Sequence, residues 1–101
     1  MYIYNVTTQV TWSIHEEWEK WMLQRHIPDI LGTGCFIRHQ MVKLLDADDT
    51  DGPTYAVQYF CHTKDDYTRF IELYATSLRA ESFKQWGDNF VAFRSLMEVV
   101  G

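Results

Sequence analysis

Residues 2–10, YIYNVTTQV, are dense in aromatic and β-branched side chains and contain no Gly or Pro, which predicts a strand. From Ser13 the period changes. Ile14, Trp18, Trp21 and Arg25 recur at helical spacing, with Met22 and Pro28 at the edges of the stripe. Ser13 followed three residues later by Glu16 reads as a capping box at the start of this helix. Pro28 disfavours helical geometry at Ile27, so the helix is expected to end or kink there, and Gly32 and Gly34 close the segment. Residues 35–45, CFIRHQMVKLL, and 54–62, TYAVQYFCH, read as two strands. They are joined by the polar run DADDTDGP at 46–53, a hairpin loop. Thr63 and Asp66 form a second capping box, and Tyr67, Phe70, Ile71, Tyr74 and Leu78 give the next helix its buried stripe. The segment from Ser77 to Trp86 reads as a broken continuation that Gly87 ends, and residues 90–100, FVAFRSLMEVV, as the last strand.

The order β-α-β-β-α-β, with right-handed crossovers and one hairpin, favours one topology. It is the α+β ferredoxin-like plait: a four-stranded antiparallel sheet of order 4-1-3-2 with both helices on one face, formed by residues 1–101 as one domain. The bare face of such a sheet should alternate apolar with polar residues in a monomer. These strands do not. Strand 4 carries Val91, Phe93, Met97 and Val99 on one face and Phe90, Ala92 and Leu96 on the other. Strand 3 sets Tyr55, Val57, Tyr59 and Cys61 against Ala56 and Phe60. The simplest cover for the second face is the same sheet of another copy, which makes a homodimer through the open sheet face, a dimeric α+β barrel. Periodicity does not say which set of residues faces the helices.

Composition sharpens this. Four Trp, six Tyr and six Phe in 101 residues are a heavy load for a small interior, so some aromatic residues are expected at an interface or a pocket. The net charge is −5, and the nine Lys and Arg are scattered, which excludes phosphate-backbone binding: no nucleic acid and no anionic membrane surface. No apolar run reaches about 18 residues, and the N-terminus has neither a basic start nor a cleavage site, so a cytoplasmic location is expected. Cys35 and Cys61 fall in predicted strands and read as reduced, buried side chains.

Tyr4-Asn5-Val6-Thr7, His26-Ile27-Pro28-Asp29 and Phe90-Val91-Ala92-Phe93-Arg94, with Glu17-Trp18 and Trp21-Met22, resemble a family of short bacterial proteins known only as a domain of unknown function. The resemblance runs from about residue 2 to 100. It implies the ferredoxin-like fold and no assigned activity. Dimeric α+β barrels as a class include haem-degrading and antibiotic-biosynthesis monooxygenases and ligand-sensing domains, so the alternative to a binding module is a monooxygenase-like enzyme acting on an aromatic or haem-like substrate.

The candidate chemistry is sparse. His15, Glu19 and His26 share a helix face, but His15 and His26 lie roughly 16 Å apart along a helix, too far for one metal ion. The zinc motif H-E-x-x-H fails because Glu19 stands in the second histidine's place. The acidic loop lacks the first and twelfth ligands of a calcium loop. Asn5 with Trp and His suggests the plait monooxygenases, yet strand 3 has no Trp and the second helix no His. No motif calls for a cofactor, and no residue is assigned a catalytic role. His26 beside Asp29 suits a helix C-terminus. Arg94, if buried, needs Asp29, Glu72 or Glu98 as partner, or an anion. The expected pocket lies between sheet and helices, lined by Tyr4, Asn5, Trp18, Trp21 and Phe93, with His26 or Arg94 as its polar handle for a small-molecule ligand.

Overall fold

The computed structural model describes residues 1–101. β1 (Tyr2–Val10) leads into a helical run of three parts: α1 (His15–Trp21), a π-helical turn (Met22–His26) and α2 (Ile27–Gly32). β2 (Arg38–Leu44) and β3 (Thr54–Cys61) form the hairpin. α3 (Lys64–Leu73), α4 (Ala75–Trp86) and β4 (Phe90–Glu98) complete the chain. The antiparallel sheet has the order β2-β3-β1-β4, which is the expected 4-1-3-2 read from the other edge. β1 is one of the two inner strands, pairing Tyr4 with Tyr59 on one side and with Leu96 on the other.

The register settles the two faces. Tyr4, Val6, Thr8 and Val10 share a face with Tyr55, Val57, Tyr59 and Cys61, and these are the residues the helices cover. Phe36 and Phe70 pack onto Tyr4 and Tyr59, with Phe36 and Phe70 rings 5.1 Å apart and Tyr4 and Phe70 rings 5.6 Å apart. Such pairs add about 0.5–1.5 kcal/mol each beyond the area they bury. Val57 and Tyr59, each 1% exposed, sit at the centre of this layer, where full burial of a large apolar side chain is worth about 1.5–3 kcal/mol.

The helical run departs from the 3.6-residue stripe. It neither ends at Ile27 nor buries Arg25. Its buried positions are Trp18, Met22, Ile27 and Ile30. The step from Met22 to Ile27 is five residues, and the Ile27 N–H donates to the Met22 carbonyl. Pro28 is the physical cause. It has no N–H to give the Gln24 carbonyl, and its ring would strike that carbonyl in a regular helix. A wider turn relieves the clash, keeps the run helical to Gly32, and rotates everything after it. Arg25 is thereby turned outward, where it meets Glu81 at 3.2 Å.

The two capping boxes fared differently. Asp66 N–H donates to Thr63 Oγ1 (3.2 Å) at the start of α3, as expected. Ser13 instead meets the Thr11 hydroxyl at 2.9 Å, and α1 starts after Ile14 with no side-chain cap. The second helix breaks at Tyr74, where φ is −127° and ψ −32°, earlier than Ser77. Gly87, at φ 61°, closes α4 with its N–H on the Phe83 carbonyl. β2 begins at Arg38, so Cys35 and Phe36 precede the strand, and β4 ends at Glu98.

Gly52 in the hairpin loop lies against the end of β1: a Cβ there would fall 1.6 Å from the Val10 carbonyl oxygen. That neighbour is backbone and cannot swing aside. Gly52→Ala is therefore expected to lower stability by about 1–3 kcal/mol, read as a lower urea midpoint at unchanged slope. A midpoint equal to the parent's would contradict the close approach.

Candidate functional site: a cleft between the helices and the sheet

Two adjoining cavities of about 40 Å³ each open between the first helical run, α4 and the sheet. They share Val6, Met22, His26, Ser82 and Arg94. Tyr4, Tyr59 and Phe70 line the first, and Trp18 the second. A water needs roughly 10–15 Å³ of such space, so each cavity has room for a few small atoms and not for a large ring system.

The polar groups come from four elements. β1 supplies the Tyr4 hydroxyl, which accepts a hydrogen bond from Arg79 Nη2 at 3.1 Å. β4 supplies Arg94, which pairs with Val6 and so points to the helix side of the sheet. α4 supplies Arg79 and Ser82, one turn apart. The π-helical turn supplies His26. Its ring stacks on Trp21 (centroids 4.8 Å, 22° between planes), and Trp21 in turn meets Trp86 edge-on at 5.8 Å.

Burial pushes the His26 imidazole down to about 4; the nearby Asp29 carboxylate opposes this and the Arg94 guanidinium adds to it. His26 is thus neutral at pH 7 and, with the helix continuing to Gly32, does not cap a helix C-terminus. Glu19 accepts a hydrogen bond from the Tyr55 hydroxyl (2.9 Å), and burial together with this carboxylate pushes Tyr55 up to about 12. His15 Nδ1 lies 2.8 Å from the Trp12 carbonyl. The side chains of His15, Glu19 and His26 are therefore engaged at three separate places.

Of the residues expected in the pocket, Tyr4, Trp18, His26 and Arg94 line the cleft. Trp21 stands behind His26 and orients it. Asn5 and Phe93 do not belong there. Their register partners, Gln58 and Thr7, place them on the opposite face of the sheet, and Asn5 Nδ2 donates to Thr7 Oγ1 at 3.0 Å. Arg94 forms no ion pair with Asp29, Glu72 or Glu98; Glu98 instead lies beside the Tyr2 hydroxyl and pushes its pKa up. Arg79 and Ser82 were not anticipated. The signal for Ser82 was the inward spacing Ala75, Leu78, Ser82, Trp86 along α4, which the Tyr67–Leu78 stripe stops short of, and nothing in the sequence marks Arg79.

A four-stranded antiparallel sheet of this order with its helices on one face defines the class as ferredoxin-like. The model of the family described as a domain of unknown function (DUF4286) matches residues 1–100, and the chain belongs to that family. No functionally curated protein matches it. Among solved structures it is similar to SnoaB, a cofactor-independent oxygenase from Streptomyces nogalater, at 14% identity and a TM-score of 0.67, covering 97% of this chain and 92% of that one. A Bacillus halodurans protein of the ethyl tert-butyl ether d (EthD) family shares 7% identity at a TM-score of 0.66, covering 99% and 100%. A dimeric ferredoxin-like protein from an uncultured marine organism shares 13% at 0.64, covering 100% and 96%. At these identities the likeness is one of fold.

The neutral, buried imidazole has a pH signature. His26 has an ordinary unfolded pKa near 6.5 and a folded one near 4, so between these values the unfolded chain binds the extra proton. Stability is therefore lost as pH falls from about 6.5 to about 4, by about 3 kcal/mol. In urea unfolding across this range, the parent's stability minus that of His26→Gln is expected to fall by that amount. Parallel curves for the two proteins would show that His26 is freely protonated in the fold.

Proposed function

We propose that this chain is a non-catalytic ligand-binding domain that works as a homodimer, its two sheets packed face to face and its ligand held in the cleft beneath the helices. The observation that carries the reading is the division of chemistry between the two sheet faces. The helix side gathers Tyr4, His26, Arg79, Ser82 and Arg94 around a cleft with apolar walls. The open side carries four residues from each strand, sixteen in all, and only Arg38 among them is charged. Even Arg38 lies flat on Phe60, its guanidinium carbon 3.6 Å from the ring centre. Solvent-facing strands ordinarily carry Lys and Glu, whereas depletion of charge marks the core of an interface. Phe93, 69% exposed, and Val91, 55% exposed, give that face its anchors. Gln40, Gln58, Asn5 and Ser95 cross it as one uncharged polar row that two copies can satisfy mutually. The dimeric ferredoxin-like neighbour supports the same assembly.

Binding is favoured over catalysis by the cleft's own acid–base chemistry. A general base acts best near the working pH, and His26, titrating about 4, is too weak. The oxygenase alternative has less support: Asn5 and His26 face opposite sides of the sheet, and the cavity is small for an aromatic or haem-like substrate. The buried, unbridged Cys35 and Cys61 suit a reducing compartment and support a cytoplasmic location.

Light scattering at micromolar concentration is expected to give 24 kDa, twice the 12.0 kDa chain. Phe93→Lys puts a charge on the uncharged face, at its most exposed large aromatic side chain, and is expected to give 12 kDa with the fold intact by circular dichroism. A parent protein of 12 kDa, or a dimer indifferent to Phe93→Lys, would refute the assembly.

A further inference from the structure

We infer that the cleft is an anion site: it takes the carboxylate of a short, otherwise apolar acid, gripped by Arg94 and Arg79, with Ser82 and the Tyr4 hydroxyl beside them. The inference rests on the ligand-binding reading and narrows it to one chemistry.

Charge distribution points there first. The chain carries 14 acidic residues against nine basic ones, yet no Asp or Glu lines either cavity. Two arginines do. Of the other three arginines, Arg38 lies on the Phe60 ring and two find carboxylates: Arg25 meets Glu81 at 3.2 Å and Arg69 meets Asp66 at 3.6 Å. Arg79 and Arg94 have no such partner. Arg94 sits on the edge strand yet points to the helix side, towards His26, with Asp29 flanking His26 from outside the cavity lining. Both guanidinium groups line the first cavity with no carboxylate beside them there, and Arg94 adds to the burial that keeps His26 unprotonated. An anion seated between them supplies the missing counter-charge.

Shape and polarity select the kind of anion. Guanidinium forks match a planar carboxylate through paired N–H donors. The remaining walls, Val6, Met22, Ile30, Phe70 and Leu78, are apolar and suit a hydrocarbon attachment, which inorganic phosphate lacks. A cavity of about 40 Å³ takes a head group of about three or four non-hydrogen atoms, and the adjoining cavity past Trp18 takes a short tail. Acids of two to four carbons fit; fused rings do not.

The test is an NMR titration of the full chain with sodium butyrate, butyramide and inorganic phosphate at matched ionic strength, following the backbone amides of His26, Ser82 and Arg94 and the four Trp indoles. Butyrate is expected to give saturable shifts confined to the cleft, at least about tenfold tighter than butyramide or phosphate. Arg94→Gln and Arg79→Gln, whose side chains reach solvent, are each expected to weaken butyrate about tenfold while leaving the far-UV spectrum unchanged. Butyramide binding as tightly as butyrate, phosphate binding more tightly, or variants that bind butyrate like the parent would overturn the carboxylate assignment and leave the ligand-binding reading standing. Shifts from none of the three probes would overturn both.

Discussion

Much of this molecule follows from one missing hydrogen. Pro28 has no N–H, and its ring occupies the space where a regular helix would set the Gln24 carbonyl. The chain answers with a π-helical turn over Met22–His26 in place of a break. The wider turn carries the buried stripe from Met22 to Ile27 and lets the helix continue to Gly32. It turns Arg25 out to Glu81. It also sets His26 at the cleft, on the ring of Trp21 and near Arg94. A regular helix over the same residues would put Arg25 on the apolar stripe with Trp18 and Met22. Turns of this kind hold a side chain where a regular helix cannot, which is why they recur at functional sites.

Strand β1 is the second organiser. β1 pairs along its length with both β3 and β4, so its period of two sorts the whole sheet. Tyr4, Val6, Thr8 and Val10 go under the helices; Ile3, Asn5, Thr7 and Gln9 go to the open side. The first set becomes a core and the floor of a cleft. The second joins a surface that has polar groups but almost no charge. The two surfaces meet different demands. One must pack against the helices; the other is suited to a second protein surface, where amides and hydroxyls can be matched and a stray charge would be expensive.

Most of the fold was legible because strands and turns announce themselves locally. YIYNVTTQV marks β1 to the residue, and DADDTDGP, Thr63 and Gly87 mark real boundaries. Ser13 misled because its hydroxyl found Thr11 instead of a helix N–H. The π-helical turn was hidden because a period of 3.6 assumes a regular helix, and Pro28 could equally have ended it. The site was half legible. Tyr4, Trp18, His26 and Arg94 were anticipated, since a His and an Arg among large apolar residues stand out. Asn5 and Phe93 were expected in the same pocket as their chain neighbours Tyr4 and Arg94, but adjacent residues of a strand point to opposite faces, and the register puts Asn5 and Phe93 on the open side. Arg79 and Ser82 went unnoticed because only the fold brings α4 over β1; nothing local links residue 79 to residue 4.

The cleft depends on a neutral imidazole, buried beside Arg94 by the turn before Pro28. The direct measurement is an NMR titration of the His26 ring carbons and nitrogens in the folded protein. The midpoint is expected near 4, well below the ordinary 6.5 of histidine. A midpoint at or above 6.5 would mean that His26 lies in water or beside a carboxylate, and the cleft as described would not exist.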